Sequence, residues 1–93
     1  MLRRIPVLIV DDNAASRRVL AGTVARWGMR PVVTATAESA ICELESADRR
    51  GAPFALLLCD AEMAEADVSG FSHRVFRNPE LLSRTILLSS GGH

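Results

Sequence analysis

The stretch from Phe54 to Asp60, F-A-L-L-L-C-D, constrains this chain more than any other. An unbroken apolar run ends abruptly in a carboxylate. A run this short, without alternation and flanked by helical patterns, predicts a strand covered on both faces. A second run, V-L-I-V at 7–10, ends the same way in Asp11-Asp12. In an open α/β sheet, ligands bind just beyond the carboxyl ends of the strands. Both acidic groups fall there.

The rest of the chain alternates between the two periods. Ile5 to Val10 reads as the first strand, with Pro6 tolerable only near its beginning. Ala14 to Trp27 reads as a helix with Ser16, Leu20, Thr23, Val24 and Trp27 on one side, and Trp27 as a packing residue at its end. Gly28 suits a left-handed cap. Arg30 to Thr34 is a short β-branched strand. Ala37, Ala40, Ile41 and Leu44 form the apolar stripe of a second helix that runs to about Asp48, before Gly51 and Pro53. Phe54 to Cys59 is the third strand. A third helix begins around Asp67 or Ser69, carries Phe71 and Val75 one turn apart, and is closed by Asn78-Pro79. Arg84 to Leu88 is a fourth strand.

The order βαβαβαβ implies a parallel sheet with right-handed crossovers. With 93 residues, the chain is one α/β domain over 1–93, near the low end for a self-sufficient core. Only three helices serve two faces, so an open sheet edge and a partly uncovered face follow. The chain reads as cut short.

Composition narrows the partners. The formal net charge is +0, which gives no reason to propose nucleic acid or an anionic membrane surface. No apolar run approaches a membrane span, and the N-terminal M-L-R-R-I-P-V-L-I-V lacks a cleavage-like site, so it reads as a strand. Cys42 and Cys59 fall in a helical and a strand pattern as buried reduced thiols, which suits a reducing compartment. Every one of the 11 Lys and Arg positions is arginine.

Strands one and three are neighbours in the smaller doubly wound order, with the ligand site at the switch between them. That order brings Asp11, Asp12 and Asp60 together. Carboxylates in one pocket repel each other unless a cation joins them. Mg²⁺, a small hard ion taking oxygen ligands, suits such a set. One carboxylate, its charge compensated, becomes a nucleophile toward a phosphoryl group. The plainer account is that an Asp after a strand is a turn or capping residue, and that Asp12 or Asn13 caps the first helix. A phosphatase-like site remains open on the same carboxylates, although no general acid or phosphate-binding loop accompanies them. Met29 and Met63 read as filler, and His73 and His93 form no metal site. Arg17-Arg18 are either a docking contact or a solvated face.

The sequence resembles the receiver domain of two-component signalling, most closely the receivers of hybrid histidine kinases. The resemblance rests on V-L-I-V-D-D-N at 7–13, R-R-V-L at 17–20, W-G-M-R-P at 27–31 and A-P-F-A-L-L-L-C-D at 52–60. Met63, Glu65 and Asp67, N-P-E-L at 78–81 and I-L-L-S-S at 86–90 complete it. It implies a flavodoxin-like, three-layer doubly wound sheet, here incomplete, with about four strands and three helices. It also implies a cytoplasmic phosphoacceptor that takes a phosphoryl group onto Asp60 from a phosphohistidine on a histidine kinase or phosphotransfer domain. Asp11, Asp12, Asp60 and the main-chain oxygen of Glu62 would bind Mg²⁺. Ser89, or Ser90 beside it, would bond the phosphoryl oxygen and act as the switch. Such a module phosphorylates and dephosphorylates itself at most and is no conventional turnover enzyme.

The departures point the other way. Ala64 stands where the family has proline, and Val68 where it has glycine. The family's lysine, aromatic switch residue, fifth strand and last helix have no counterparts, and Arg84 lies at the wrong strand end to replace the lysine. The expectation is a metal pocket with impaired switching. The alternative function is a degenerate receiver that acts as a non-catalytic interaction module, with adjacent domains or self-association covering the open edge.

Overall fold

The computed structural model describes residues 5–60, 70, 75 and 77–88. In chain order the elements are β1 (Pro6–Val10), α1 (Ala14–Arg26), β2 (Arg30–Thr34), α2 (Ala37–Arg49), β3 (Leu56–Asp60), α3 (Pro79–Ser83) and β4 (Thr85–Leu88). The strands form one parallel sheet in the order β2-β1-β3-β4. This is the flavodoxin-like, doubly wound arrangement that the resemblance implied, with β1 and β3 adjacent at its centre.

The two faces of β1 and β3 separate by parity, as strand geometry requires. Leu8, Val10, Leu57 and Cys59 pack with Ala40, Leu44 and Ala47 of α2 and with Phe54 and Val75. Val7 and Ile9 pack with Val24 of α1, joined by Leu20, Ala21, Met29, Leu56 and Leu58. Val7 through Val10 are all fully buried, the result of a strand covered on both sides. The cover thins toward β4. On the α1 face Ile86, the partner of Leu58 in the ladder, is 45% exposed. Among the described residues β4 is an edge strand.

Both long helices begin on a side-chain cap and end on a glycine. Asn13 accepts the Ser16 N–H at 2.9 Å, and Thr36 accepts the Ser39 N–H at 3.1 Å. After α1 the Met29 N–H bonds the Val24 carbonyl and the Gly28 N–H bonds that of Ala25, with Gly28 at φ 84°. After α2 the Ala52 N–H bonds Ala47 and the Gly51 N–H bonds Asp48, with Gly51 at φ 71°. These are the crossed pairs of a Schellman ending, and they satisfy the last helical carbonyls.

Several expectations need correction. Trp27 is not a packing residue: it is the C-cap of α1 and 66% exposed, because the chain reverses at Gly28 and Met29 takes the place against Val24. Cys42 is exposed, and only Cys59 is a buried thiol. Phe54 is buried but precedes β3, whose pairing with β1 starts at Leu56 opposite Val7. Asn78-Pro79 opens a helix: Asn78 Oδ1 accepts the Leu81 N–H at 3.1 Å, and Pro79 occupies the first helical position, where its missing N–H costs nothing. The helix expected from Asp67 or Ser69 lies largely outside the described residues; within it Val75 is helical and buried.

Candidate functional site

The site follows from the β1–β3 register. Val10 pairs with Cys59, so one residue further on Asp11 stands opposite Asp60. Register partners on adjacent strands share a face, and neighbouring strands run about 4.8 Å apart. By parity with Val7, Ile9, Leu56 and Leu58, that face is the one α1 covers. Carboxylate oxygens of Asp11, Asp12 and Asp60 all lie within 4.8 Å of one another. Asp11 and Asp60 are buried, at 6% and 4% exposure, whereas Asp12 is exposed. Beside them an open cleft of about 400 Å³ is lined by Asp11, Asp60, Leu88 and the α1 residues Ala15, Ser16, Val19 and Leu20.

Hydrogen bonds hold the Asp11 corner from three directions. The Asp11 N–H donates to the Thr34 carbonyl at 3.1 Å, which ties the end of β1 to β2. Asp11 Oδ1 accepts the Asn13 N–H at 2.9 Å, an Asx turn leading directly into the Asn13 cap. The Asp11 carbonyl accepts from Arg17 Nη1 at 2.8 Å. The turn and capping account is therefore right for Asp11 and Asn13. Two buried carboxylates side by side, with a third at the entrance, form an all-oxygen, hard donor set that fits a small divalent cation such as Mg²⁺.

Of the residues singled out in the sequence, Asp11, Asp12 and Asp60 come together. Glu62, Ser89 and Ser90 lie outside the described residues. Arg84 sits just before β4, at the opposite end of the sheet; its Nη1 donates to the Phe54 carbonyl at 3.5 Å and its Nη2 lies 4.0 Å from Glu80. Sequence reasoning missed the placement of Arg17. The available signal was its position one turn into α1, since long helical side chains lean toward the helix N-terminus. Here that direction leads back to the Asp11–Asn13 turn.

No protein-family model and no curated protein matches the chain. Among solved structures, a chemotaxis response regulator of Vibrio cholerae matches with a TM-score of 0.70 and 20% identity over 98% of this chain and 72% of that one. A response regulator receiver protein from Pseudomonas putida matches with a TM-score of 0.68 and 22% identity, over 96% of this chain and 70% of that one. The fold is thus of the receiver type. No helix among the described residues is long and apolar enough to cross a membrane.

Proposed function

We propose that this chain is a phosphoacceptor receiver module in a cytoplasmic two-component phosphorelay. The observation that carries this reading is the convergence of Asp11, Asp12 and Asp60 within 4.8 Å at the β1–β3 switch point. An oxygen of the Asp60 carboxylate attacks the phosphorus of a phosphohistidine on a histidine kinase or phosphotransfer domain. The P–N bond breaks, the imidazole leaves with the electron pair and takes up a proton, and an acyl phosphate remains on Asp60. Asp11, Asp12, Asp60 and the main-chain oxygen of Glu62 would hold Mg²⁺, which would supply compensation for the charge on the transferring oxygens. Ser89, or Ser90 beside it, would donate its hydroxyl to the phosphoryl group.

One observation favours a second reading. Arg84, the basic residue that adjoins β4 among the described residues, is at the far end of that strand from Asp60. A receiver whose acidic corner lacked a neutralising side chain would keep the fold and act as a docking module without phosphoryl chemistry. Amide NMR of the chain with Mg²⁺ and beryllofluoride separates the two. The phosphoacceptor reading expects resonances around Asp11, Asp12 and Asp60 to shift, and Asp60→Asn to abolish the shift. A dispersed spectrum that ignores the additive in the unsubstituted chain would leave the docking module.

A further inference from the structure

Arg17 lies in α1, yet its guanidinium reaches back six residues to the Asp11 carbonyl, with Nη1 at 2.8 Å. The Arg17 N–H bonds the Asn13 carbonyl at 3.0 Å, so main chain and side chain of one residue grip both ends of the Asp11–Asn13 turn. Asp12 and Asn13 are exposed, and the covalent chain alone does not fix where the Asp12 carboxylate stands. Mg²⁺ demands near-ideal octahedral geometry, so a turn that carries two of its ligands must be held firmly. Partners outside the ligand sphere usually provide such orientation. From this geometry we infer that Arg17 is a positioning residue for the cation site, acting through the Asp11 carbonyl. The inference rests on the Mg²⁺ site proposed above.

Charge alone gives the opposite sign. A guanidinium beside a cation site repels the incoming ion, so simple electrostatics expects its removal to tighten binding. The clamp expects its removal to loosen binding. Arg18, next in the chain and exposed, serves as control, because Arg18→Met removes the same charge without touching the turn.

The experiment is a Mg²⁺ titration of the full chain followed by amide NMR, for the unsubstituted protein and for Arg17→Met, Arg17→Gln, Arg17→Lys and Arg18→Met. Arg17→Met and Arg17→Gln are expected to weaken the apparent affinity roughly tenfold, the lower end of what losing such a partner costs. Arg18→Met should stay within about twofold, as an exposed charge does. Arg17→Lys, which retains a donor on a long stem, should recover part of the loss. Arg17→Met or Arg17→Gln binding as tightly as Arg18→Met, or more tightly, overturns the clamp. An unsubstituted chain that does not respond to Mg²⁺ removes the cation site itself and the clamp with it, an outcome distinct from the first.

Discussion

Replacing Asp11 with asparagine should change stability in opposite directions with and without Mg²⁺. Asp11 and Asp60 are both buried, and their oxygens lie within 4.8 Å. Two unit charges at that separation repel by roughly 3.5 kcal/mol at an effective dielectric constant near 20. The Asn13 N–H on Asp11 Oδ1, the interactions that Asp60 makes in its turn and the spreading of each charge over two oxygens offset much of this, leaving a net repulsion of about 1 kcal/mol. Asparagine keeps the shape and an oxygen to accept the Asn13 N–H while removing the charge. In EDTA, Asp11→Asn should therefore raise the midpoint of thermal unfolding by about 4–8 °C, the equivalent of 1 kcal/mol for a domain of this size. With Mg²⁺ the order reverses. Each tenfold excess of the ion over its Kd stabilises the unsubstituted chain by about 1.4 kcal/mol, and the variant loses most of that gain. Circular dichroism melts in EDTA and across a Mg²⁺ series read both terms. A variant less stable than the parent in EDTA would show that the carboxylates do not strain the fold. A variant with an undiminished Mg²⁺ response would show that Asp11 is no ligand.

Two further outcomes test the local structure. Gly22 lies inside α1 with nothing within 4 Å of an added Cβ, so Gly22→Ala should stabilise by about 0.5–1 kcal/mol in denaturant melts. Gly28→Ala, at φ 84°, should cost about 1 kcal/mol in the same assay because the Schellman ending requires the left-handed conformation. The emission of Trp27, the only tryptophan, should lie near that of a solvated indole and be quenched freely by iodide. A blue-shifted, protected emission would restore the packing role that the sequence pattern suggested.

What was legible in the sequence is what hydrophobic period determines. Uninterrupted four- to six-residue apolar runs leave little choice but central strands, and once β1 and β3 are neighbours with their runs aligned, Asp11 and Asp60 meet. What was not legible turns on groups that satisfy two rules at once. Asn78-Pro79 reads equally well as a helix stop and as a cap followed by the first helical residue; the bond from Leu81 to Asn78 decides it. Trp27 has the spacing of a core residue, but the last turn of a helix ends where its cap reverses the chain, and Met29 fills the place that spacing assigned to Trp27. Phe54 belongs to the same apolar run as β3 and to the same core. Burial therefore cannot show where ladder pairing begins. The contact of Arg17 is a matter of side-chain reach, to which hydrophobic period is blind.

The chemistry depends on a single step of register. Side chains alternate faces along a strand, so a slip of one residue between β1 and β3 would set Val10 or Asp12 opposite Asp60, according to its direction, and turn every side chain of the shifted strand to the other face. What resists the slip is that the two faces differ. The α2 side receives Ala40, Leu44, Ala47 and Phe54, whereas the α1 side receives Val24, Leu20 and Met29. Because both faces are filled, a shifted β1 would have to repack two different layers simultaneously, at a cost of several large-to-small or overpacking changes of about 1–3 kcal/mol each. The apolar run that makes β3 a central strand is thus also what places Asp60 beside Asp11. In this chain the carboxylate corner is a consequence of the core, and substitutions at Leu57 act on the site without touching it.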